Sequence, residues 1–103
     1  MIQIEDDNTD CIKDEKCYIL FYFTATWCGP CQRIKPIIEE ISKGVDDSKL
    51  KVYMIDIDTN PKLVEKYNIR SVPTLILLLE DTLVGTCCGT DKVKIMELFK
   101  NII

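Results

Sequence analysis

The sequence contains no histidine, and this absence excludes two kinds of cysteine chemistry. A Cys-His nucleophile pair and a Cys2His2 zinc site both need an imidazole, so this chain can form neither. No apolar run approaches the ~18 residues that a membrane-spanning helix needs. The residues after Met1 also lack the pattern of a secretory signal peptide, in which a basic start is followed by an apolar segment. We therefore expect no membrane segment and a location in the reducing cytoplasm.

Basic residues are too few to favour a nucleic-acid partner. The chain carries 17 acidic and 13 basic residues, a formal charge of −4, whereas nucleic acid requires a basic face. Its 103 residues suit one domain, and 47% of them are hydrophobic, which is enough for a core without a covalent staple. We find no linker, repeat or low-complexity segment. Residues 1–103 are therefore predicted to form a single domain.

The order of apolar patterns predicts an α/β fold. Continuous apolar runs at 17–23 and 75–79 are typical of strands buried on both faces, and the mainly apolar segment 50–57 is interpreted as another buried strand. Helical spacing follows at 31–43, from Pro61 to about 67, and after Thr90. The turn near 80–82 is too short for a crossover, so the strand at 83–87 should be antiparallel to its predecessor. We expect a mixed central sheet of four to five strands with helices on both faces.

The ends of these elements carry local signals. The first helix should kink at Pro36 and end at Gly44, and a side chain at 59 or 60 should cap the second helix before Pro61. Residues 1–16 suggest a short edge strand at its start, then a weak helix or loop near 9–16. Thr90 should cap the last helix. Its inward-facing residues are predicted to be Val93, Met96, Phe99 and either Ile102 or Ile103.

Two of the six cysteines, Cys28 and Cys31, lie where the first long strand gives way to a helix. A helix N-terminus offers free amide donors and about half a positive charge, which favour a thiolate over a thiol. The inferred reaction is attack by Cys28 on a substrate disulfide, followed by resolution of the mixed disulfide by Cys31. Gly29 and Pro30 suit the tight turn between them, and Trp27 should shield the Cys28 thiol. Cys31, one turn inside the helix, should be the less exposed thiol.

A Cys-x-x-Cys pair is also half of a four-cysteine zinc site. The four remaining cysteines do not supply the second half, because two are adjacent and two are six residues apart. Cys88 is a candidate regulatory or glutathionylation site or a link to a second chain, although an apolar filler in the last strand is the favoured interpretation. Cys87 should point to the opposite face. Cys11 and Cys17 could pair under oxidation, but free buried thiols are favoured.

The segment Phe-Thr-Ala-Thr-Trp-Cys-Gly-Pro-Cys at 23–31 resembles the active-site segment of the thioredoxin family. The resemblance continues through Pro36, Asp-Thr-Asn-Pro at 58–61, Ile-Arg-Ser-Val-Pro-Thr at 69–74, and Gly89. It covers nearly the whole chain from about Cys17, whereas the first 16 residues match poorly. The family's fold is the mixed sheet already expected here.

The resemblance implies more than the spacing does. Pro73 matches the family's cis-proline beside the cysteine pair, and the Val72 backbone would pair with an extended substrate segment. The implied docking surface consists of Trp27, Gly29, Pro30, Val72, Pro73 and Gly89. The implied protein is a monomeric protein-disulfide reductase without a bound cofactor, recharged from NADPH by a thioredoxin reductase. Ribonucleotide reductase and peroxiredoxin are the kinds of substrate implied. A disulfide oxidase or isomerase, and a non-catalytic binding subunit, remain as alternatives.

The chain departs from the family at a buried pair of charges. Many members carry an aspartate six residues before the first cysteine, with a lysine partner; here these positions are Tyr22 and Met54. Replacing both partners with less polar groups can be neutral for stability. A tyrosine, with a pKa near about 10, is a poor base at neutral pH. We expect slower activation of Cys31, or a route through water or Lys35; the alternative is that Tyr22 only fills the core.

Overall fold

The computed structural model describes residues 1–12 and 16–102, which form five strands and three helices. Most element boundaries lie within two residues of those predicted. The segment predicted as a weak helix or loop falls partly on 13–15, and Ile103 also lies outside the described residues. The strands are β1 Ile2–Ile4, β2 Tyr18–Thr24, β3 Leu50–Asp56, β4 Thr74–Leu79 and β5 Thr82–Cys88; the helices are α1 Gly29–Lys43, α2 Pro61–Lys66 and α3 Lys92–Lys100.

The strands form one mixed sheet in the order β1-β3-β2-β4-β5. The central strand β2 is parallel to β3 and antiparallel to β4, and it is buried on both faces, which explains its uninterrupted apolar sequence. Strand β1 is a parallel edge strand. Strands β4 and β5 form the predicted antiparallel hairpin, with Glu80 and Asp81 at positive φ of 50° and 66° in the turn.

Helices cover both faces of the sheet, as predicted. Helices α1 and α3 pack on one face, against residues such as Leu20, Tyr22 and Leu77. Helix α2 packs on the other face through Leu63, against Phe21 and Phe23. No helix among the described residues is both long and apolar enough to cross a membrane.

The predictions for α3 were partly wrong. Asp91, not Thr90, caps the helix, because its carboxylate accepts the Val93 amide at 2.9 Å and the Lys94 amide at 3.4 Å. Val93 and Met96 are 63% and 47% exposed, so they are not core residues. The buried side chains are Ile95, Leu98, Phe99 and Ile102.

A glycine on β5 leaves space for one of the inward-facing side chains of α3. A Cβ on Gly85 would stand 2.7 Å from Leu98 Cδ1, so the missing side chain makes room for Leu98. Helix α1 ends at Gly44, as predicted, and Pro36 lies inside it. A kink at Pro36 remains a prediction.

The N-terminal segment is fastened to α2 by reciprocal hydrogen bonds. Asn60 precedes α2, but its side chain does not cap the helix as predicted. Its amide nitrogen instead donates to the carbonyl groups of Ile4 at 3.0 Å and Asp56 at 2.8 Å, and its oxygen accepts the Asp7 amide at 2.8 Å. Asp7 in turn accepts the Leu63 amide at 2.9 Å, so a residue distant in sequence supplies the cap.

The variant Asp7→Ala should therefore destabilise the fold. It removes the oxygen that caps α2, and loss of a cap costs typically about 1 kcal/mol of unfolding free energy. It also places alanine at a φ of 58°, which aspartate and asparagine tolerate better. Urea denaturation of Asp7→Ala and Asp7→Asn provides the measurement. Asparagine keeps both the oxygen and the backbone preference, so it should cost much less; equal losses would contradict the cap.

Candidate active site

Cys28 and Cys31 form a disulfide at the N-terminus of α1, with their Cα atoms 5.3 Å apart. Cys28 is the N-cap residue, with extended backbone, and its sulfur accepts the Cys31 amide at 3.2 Å. Pro30 lies in the first turn, where its missing N–H leaves no orphan donor. Cys31 is fully buried and Cys28 is 5% exposed, so Cys31 is the more buried thiol, as predicted.

The loop before β4 lies against the outer cysteine. The Val72–Pro73 peptide bond is cis, and the Val72 carbonyl oxygen is 3.8 Å from Cys28 Sγ. Gly89, just after β5, donates its amide to the Pro73 carbonyl at 3.0 Å. Its φ of +90° is a conformation that favours glycine. Three separate segments thus meet at the disulfide.

Trp27 lies beside this site and is 67% exposed. Its indole nitrogen donates to Asp58 Oδ2 at 2.9 Å, which anchors the ring although most of it faces solvent. Asp58 itself lies in the turn after β3, where its amide donates to Asp56 Oδ1 at 2.8 Å. Sequence reasoning quoted Asp58 within a family segment but did not identify it as the partner of Trp27.

Tyr22 lies beneath the disulfide and is fully buried. Its hydroxyl donates to the Cys31 carbonyl oxygen at 2.5 Å, so it contacts the backbone of the buried cysteine rather than filling space alone. Burial raises the pKa of Tyr22 above its usual value, the nearby Thr24 hydroxyl opposes this rise, and the Glu39 carboxylate adds to it. Tyr22 therefore remains a neutral phenol at physiological pH.

Thr24 is a polar residue that sequence reasoning did not connect with this site. It points to the same face of β2 as Tyr22, two residues earlier, which is the signal that could have found it. Its hydroxyl oxygen is buried and makes no hydrogen bond of ordinary geometry among the described residues, although it lies near enough to the Tyr22 hydroxyl to lower the pKa of that group. A buried hydroxyl of this kind can accept a further polar partner such as water.

A surface cleft of about 650 Å³ opens on the same side of the sheet. Its lining includes Lys35 and Glu39 from α1 and Met54 from β3, and Met54 is the partner of Tyr22 in the sheet register. Lys35 is half-buried one turn after Cys31. Neither Cys28 nor Cys31 lines the cleft, which borders α1 from one turn beyond Cys31.

The remaining cysteines do not join the disulfide site. Cys87 is buried, and burial raises the pKa of its thiol. Cys88 is exposed at the end of β5, so its interpretation as apolar filler was wrong; its neighbour Cys87 takes that place. Cys11 is also exposed, because it lies in a turn, and no disulfide joins it to buried Cys17. Within the described residues, no three Cys, Asp or Glu side chains are grouped to hold a metal ion.

Comparison with known proteins identifies the arrangement. The family model described as thioredoxin matches residues 2–101. The chain belongs to the thioredoxin family. Its fold is the thioredoxin fold, and the chain is a thiol-disulfide oxidoreductase, an enzyme of the disulfide-reductase kind. Thioredoxins need no bound cofactor, and they work with disulfide substrates and a reductase.

Three similar proteins illustrate the match. A thioredoxin of Rickettsia bellii is 49% identical over 71 residues, covering 65% of this chain and 67% of the relative. A thioredoxin of Staphylococcus epidermidis is 37% identical over 89 residues, covering 86% and 84%. The crystal structure of reduced Schistosoma mansoni thioredoxin pre-protein superposes with a TM-score of 0.85 at 30% identity, covering 99% and 97% of the two chains.

The variant Tyr22→Phe should lower the free energy of unfolding by about 1 kcal/mol, because it removes the hydrogen bond to the buried Cys31 carbonyl. Tyr18→Phe is the matched control, since Tyr18 lies on the same strand and its hydroxyl makes no hydrogen bond to the described residues. Denaturant unfolding of both oxidised variants provides the measurement. An equal effect of the two changes would contradict a specific role for the Tyr22 hydroxyl.

The difference in unfolding free energy between the wild type and Tyr22→Phe should depend on pH. Because burial raises the pKa of Tyr22 above 10.0, the folded protein holds the phenolic proton more tightly than the unfolded chain. This contribution to stability is fully present below about pH 10 and is lost as the pH rises through the folded pKa. The stability advantage of the wild type over Tyr22→Phe should be constant from about pH 6 to 9 and should shrink at higher pH. If the stability difference between the wild type and Tyr22→Phe stayed constant at higher pH, the raised pKa of the buried Tyr22 hydroxyl would be contradicted.

Proposed function

We propose that this thioredoxin acts as a protein-disulfide reductase in which Cys28 is the attacking thiol and Cys31 the resolving thiol. The observation that carries the assignment is the position of Cys28: it caps α1, accepts the Cys31 amide, and lies 3.8 Å from the Val72 carbonyl. The inner position of Cys31 suits a thiol that reacts only with Cys28. The Gly29-Pro30 pair between them resembles the reducing members of the family.

The proposed cycle begins with the reduced dithiol. The Cys28 thiolate attacks one sulfur of a substrate disulfide, the substrate S–S bond breaks, and the departing sulfur takes a proton. The Cys31 thiol then loses its proton and attacks the Cys28 sulfur, so the second substrate sulfur leaves as a thiol. Two electrons pass to the substrate, and the Cys28–Cys31 disulfide forms in the protein.

The substrate is proposed to dock across three segments. The half-buried Val72 backbone next to cis-Pro73 would pair with an extended chain, as in strand addition. The exposed indole of Trp27 offers a flat apolar surface beside the disulfide. The proposed docking surface is the set named from the resemblance: Trp27, Gly29, Pro30, Val72, Pro73 and Gly89.

The proton of Cys31 is proposed to leave through water. Tyr22 donates its hydrogen to the Cys31 carbonyl and its pKa is raised, so it is a poor acceptor for the thiol proton. The buried Thr24 hydroxyl is suited to bind a water molecule beneath the disulfide. Lys35 in the neighbouring cleft would assist by stabilising the thiolate that remains. We infer a slower resolving step than in a thioredoxin with a buried aspartate.

Reducing equivalents are proposed to come from NADPH through a thioredoxin reductase. The acceptors would be cytoplasmic disulfide proteins of the ribonucleotide reductase or peroxiredoxin kind. The free thiols of Cys11, Cys87 and Cys88 support a reducing compartment, where thiols stay unpaired.

The roles of the two cysteines are tested by trapping. With insulin as the disulfide substrate, Cys31→Ser should accumulate a one-to-one mixed disulfide through Cys28, because the resolving thiol is missing. Cys28→Ser should lose turnover by about a thousandfold or more, since it removes the nucleophile. Intact-mass spectrometry with and without dithiothreitol identifies the adduct, and Cys11→Ser is the control that should turn over normally. Turnover by Cys28→Ser would refute the assignment.

The role of Tyr22 is tested by restoring the charge pair. The double variant Tyr22→Asp/Met54→Lys should resolve the mixed disulfide at least about tenfold faster near neutral pH, because a positioned carboxylate can accept the Cys31 proton. Stopped-flow measurement of mixed-disulfide decay gives the rate. Tyr22→Phe is the comparison variant, because it has neither the introduced carboxylate nor the tyrosine hydroxyl. Equal decay rates in the three proteins would mean that Tyr22 only fills the core.

A further inference from the structure

Both arginines of the chain lie within four residues of the proposed docking surface. The other eleven basic residues are lysines, and the net charge is −4, so an arginine here is rare. Arg33 follows Gly29 by one helical turn on α1, and Arg70 precedes Val72 by two residues. Gly29 and Val72 are the residues that lie against Cys28 on α1 and on the cis-proline loop. The two arginines thus adjoin the proposed docking surface on two different segments.

Arg33 reaches toward the rim of the site. Its Nη1 atom lies 3.8 Å from the position that a Cβ on Gly29 would occupy, and the residue is exposed. A substrate chain that brings its sulfur to Cys28 must pass next to Gly29. Its neighbouring side chains would therefore come within reach of this guanidinium.

The Arg70 side chain is hydrogen-bonded through Nε and exposed to solvent. Its Nε donates to Asn68 Oδ1 at 3.4 Å, and Asn68 has a positive φ of 53° that turns the chain toward the loop. Among the described residues, neither Arg33 nor Arg70 forms an ion pair.

The acidic residues that border the docking surface lie on segments other than those of the arginines. Asp58 is bound to the Trp27 indole, and Asp91 is occupied by the first amides of α3 after Gly89. Acidic groups of a substrate would be repelled there and attracted to the arginines. Arginine differs from lysine because its planar fork binds a carboxylate through two hydrogen bonds.

We propose that Arg33 and Arg70 recognise carboxylates beside the reacting disulfide, so that the enzyme prefers disulfide substrates whose cysteine is flanked by aspartate or glutamate. This inference rests on the proposed reductase function and adds the class of substrate. Exposed pairs of this kind are individually weak, so each arginine should change the preference by about two- to fivefold.

Two synthetic peptides test the preference. They share one length and one internal disulfide, and they differ only in flanking glutamates replaced by glutamines. The second-order rate constant for reduction by the pre-reduced protein is followed through Trp27 fluorescence at about 20 mM ionic strength. The wild type should reduce the glutamate peptide several-fold faster, and the ratio should fall toward one in about 1 M salt, where charges are screened.

The variants separate this inference from the function on which it depends. Arg33→Gln and Arg70→Gln should each lower the glutamate-to-glutamine ratio, and the double variant should bring it close to one. Lys100→Gln removes the same charge at the far end of α3 and should keep the wild-type ratio. An unchanged ratio in the double variant, or a wild-type ratio of one, overturns the inference. Bis(2-hydroxyethyl) disulfide, which is uncharged, reports the chemistry: if wild type and Lys100→Gln fail to reduce it, the reductase function itself is wrong.

Discussion

The hydrogen bond from the Cys31 amide to the Cys28 sulfur, at 3.2 Å, is the interaction on which the site depends. A helix must satisfy its first amides, and here the sulfur of the N-cap residue does so. The same amide and the helix dipole remain in place to stabilise negative charge on Cys28 when the disulfide opens. Strand β2 is buried on both faces and leads the chain to Cys28 at the start of α1. The loop with the cis Val72–Pro73 bond lies against Cys28, and Gly89 is hydrogen-bonded to that loop. Helix capping and thiol chemistry thus use the same atoms.

Below the disulfide, the protein has a neutral polar group at the position where the family resemblance implies a carboxylate. Tyr22 is anchored to the Cys31 carbonyl, and Met54 lies opposite it in the sheet register. Replacing both members of a buried ion pair avoids the cost of leaving one charge alone. The consequence is chemical, because a phenol with a raised pKa does not serve as a base at neutral pH. In the proposed mechanism, the Cys31 proton instead leaves through water near the buried Thr24 hydroxyl, with assistance from Lys35.

Much of the fold and the centre of the site could be predicted from the sequence, and most of the failures have a common physical cause. Strands β2 and β4 are recognisable because burial on both faces demands a continuous apolar run. The cysteine pair is recognisable from its place between a strand and a helix, whereas Pro73 and Gly89 were recognised only through their match to the family's motifs. Contacts between distant segments carry no such signal: Trp27 binds Asp58, 31 residues away, and Asp7 caps α2 from a distance of 56 residues. The inward face of α3 is a different case, because Ile95, Leu98, Phe99 and Ile102 have the helical spacing of a buried face and the prediction chose a competing set that began at Val93.

The Cys28–Cys31 pair is proposed to be an electron donor, and its reduction potential tests this most directly. The purified protein would be equilibrated in glutathione or dithiothreitol buffers of graded potential, with Trp27 fluorescence reporting the fraction reduced. A midpoint of about −270 mV, the value typical of thioredoxins, is expected. A midpoint between about −180 and −120 mV would instead make the protein an oxidant or isomerase, and the absence of any transition would contradict a redox role.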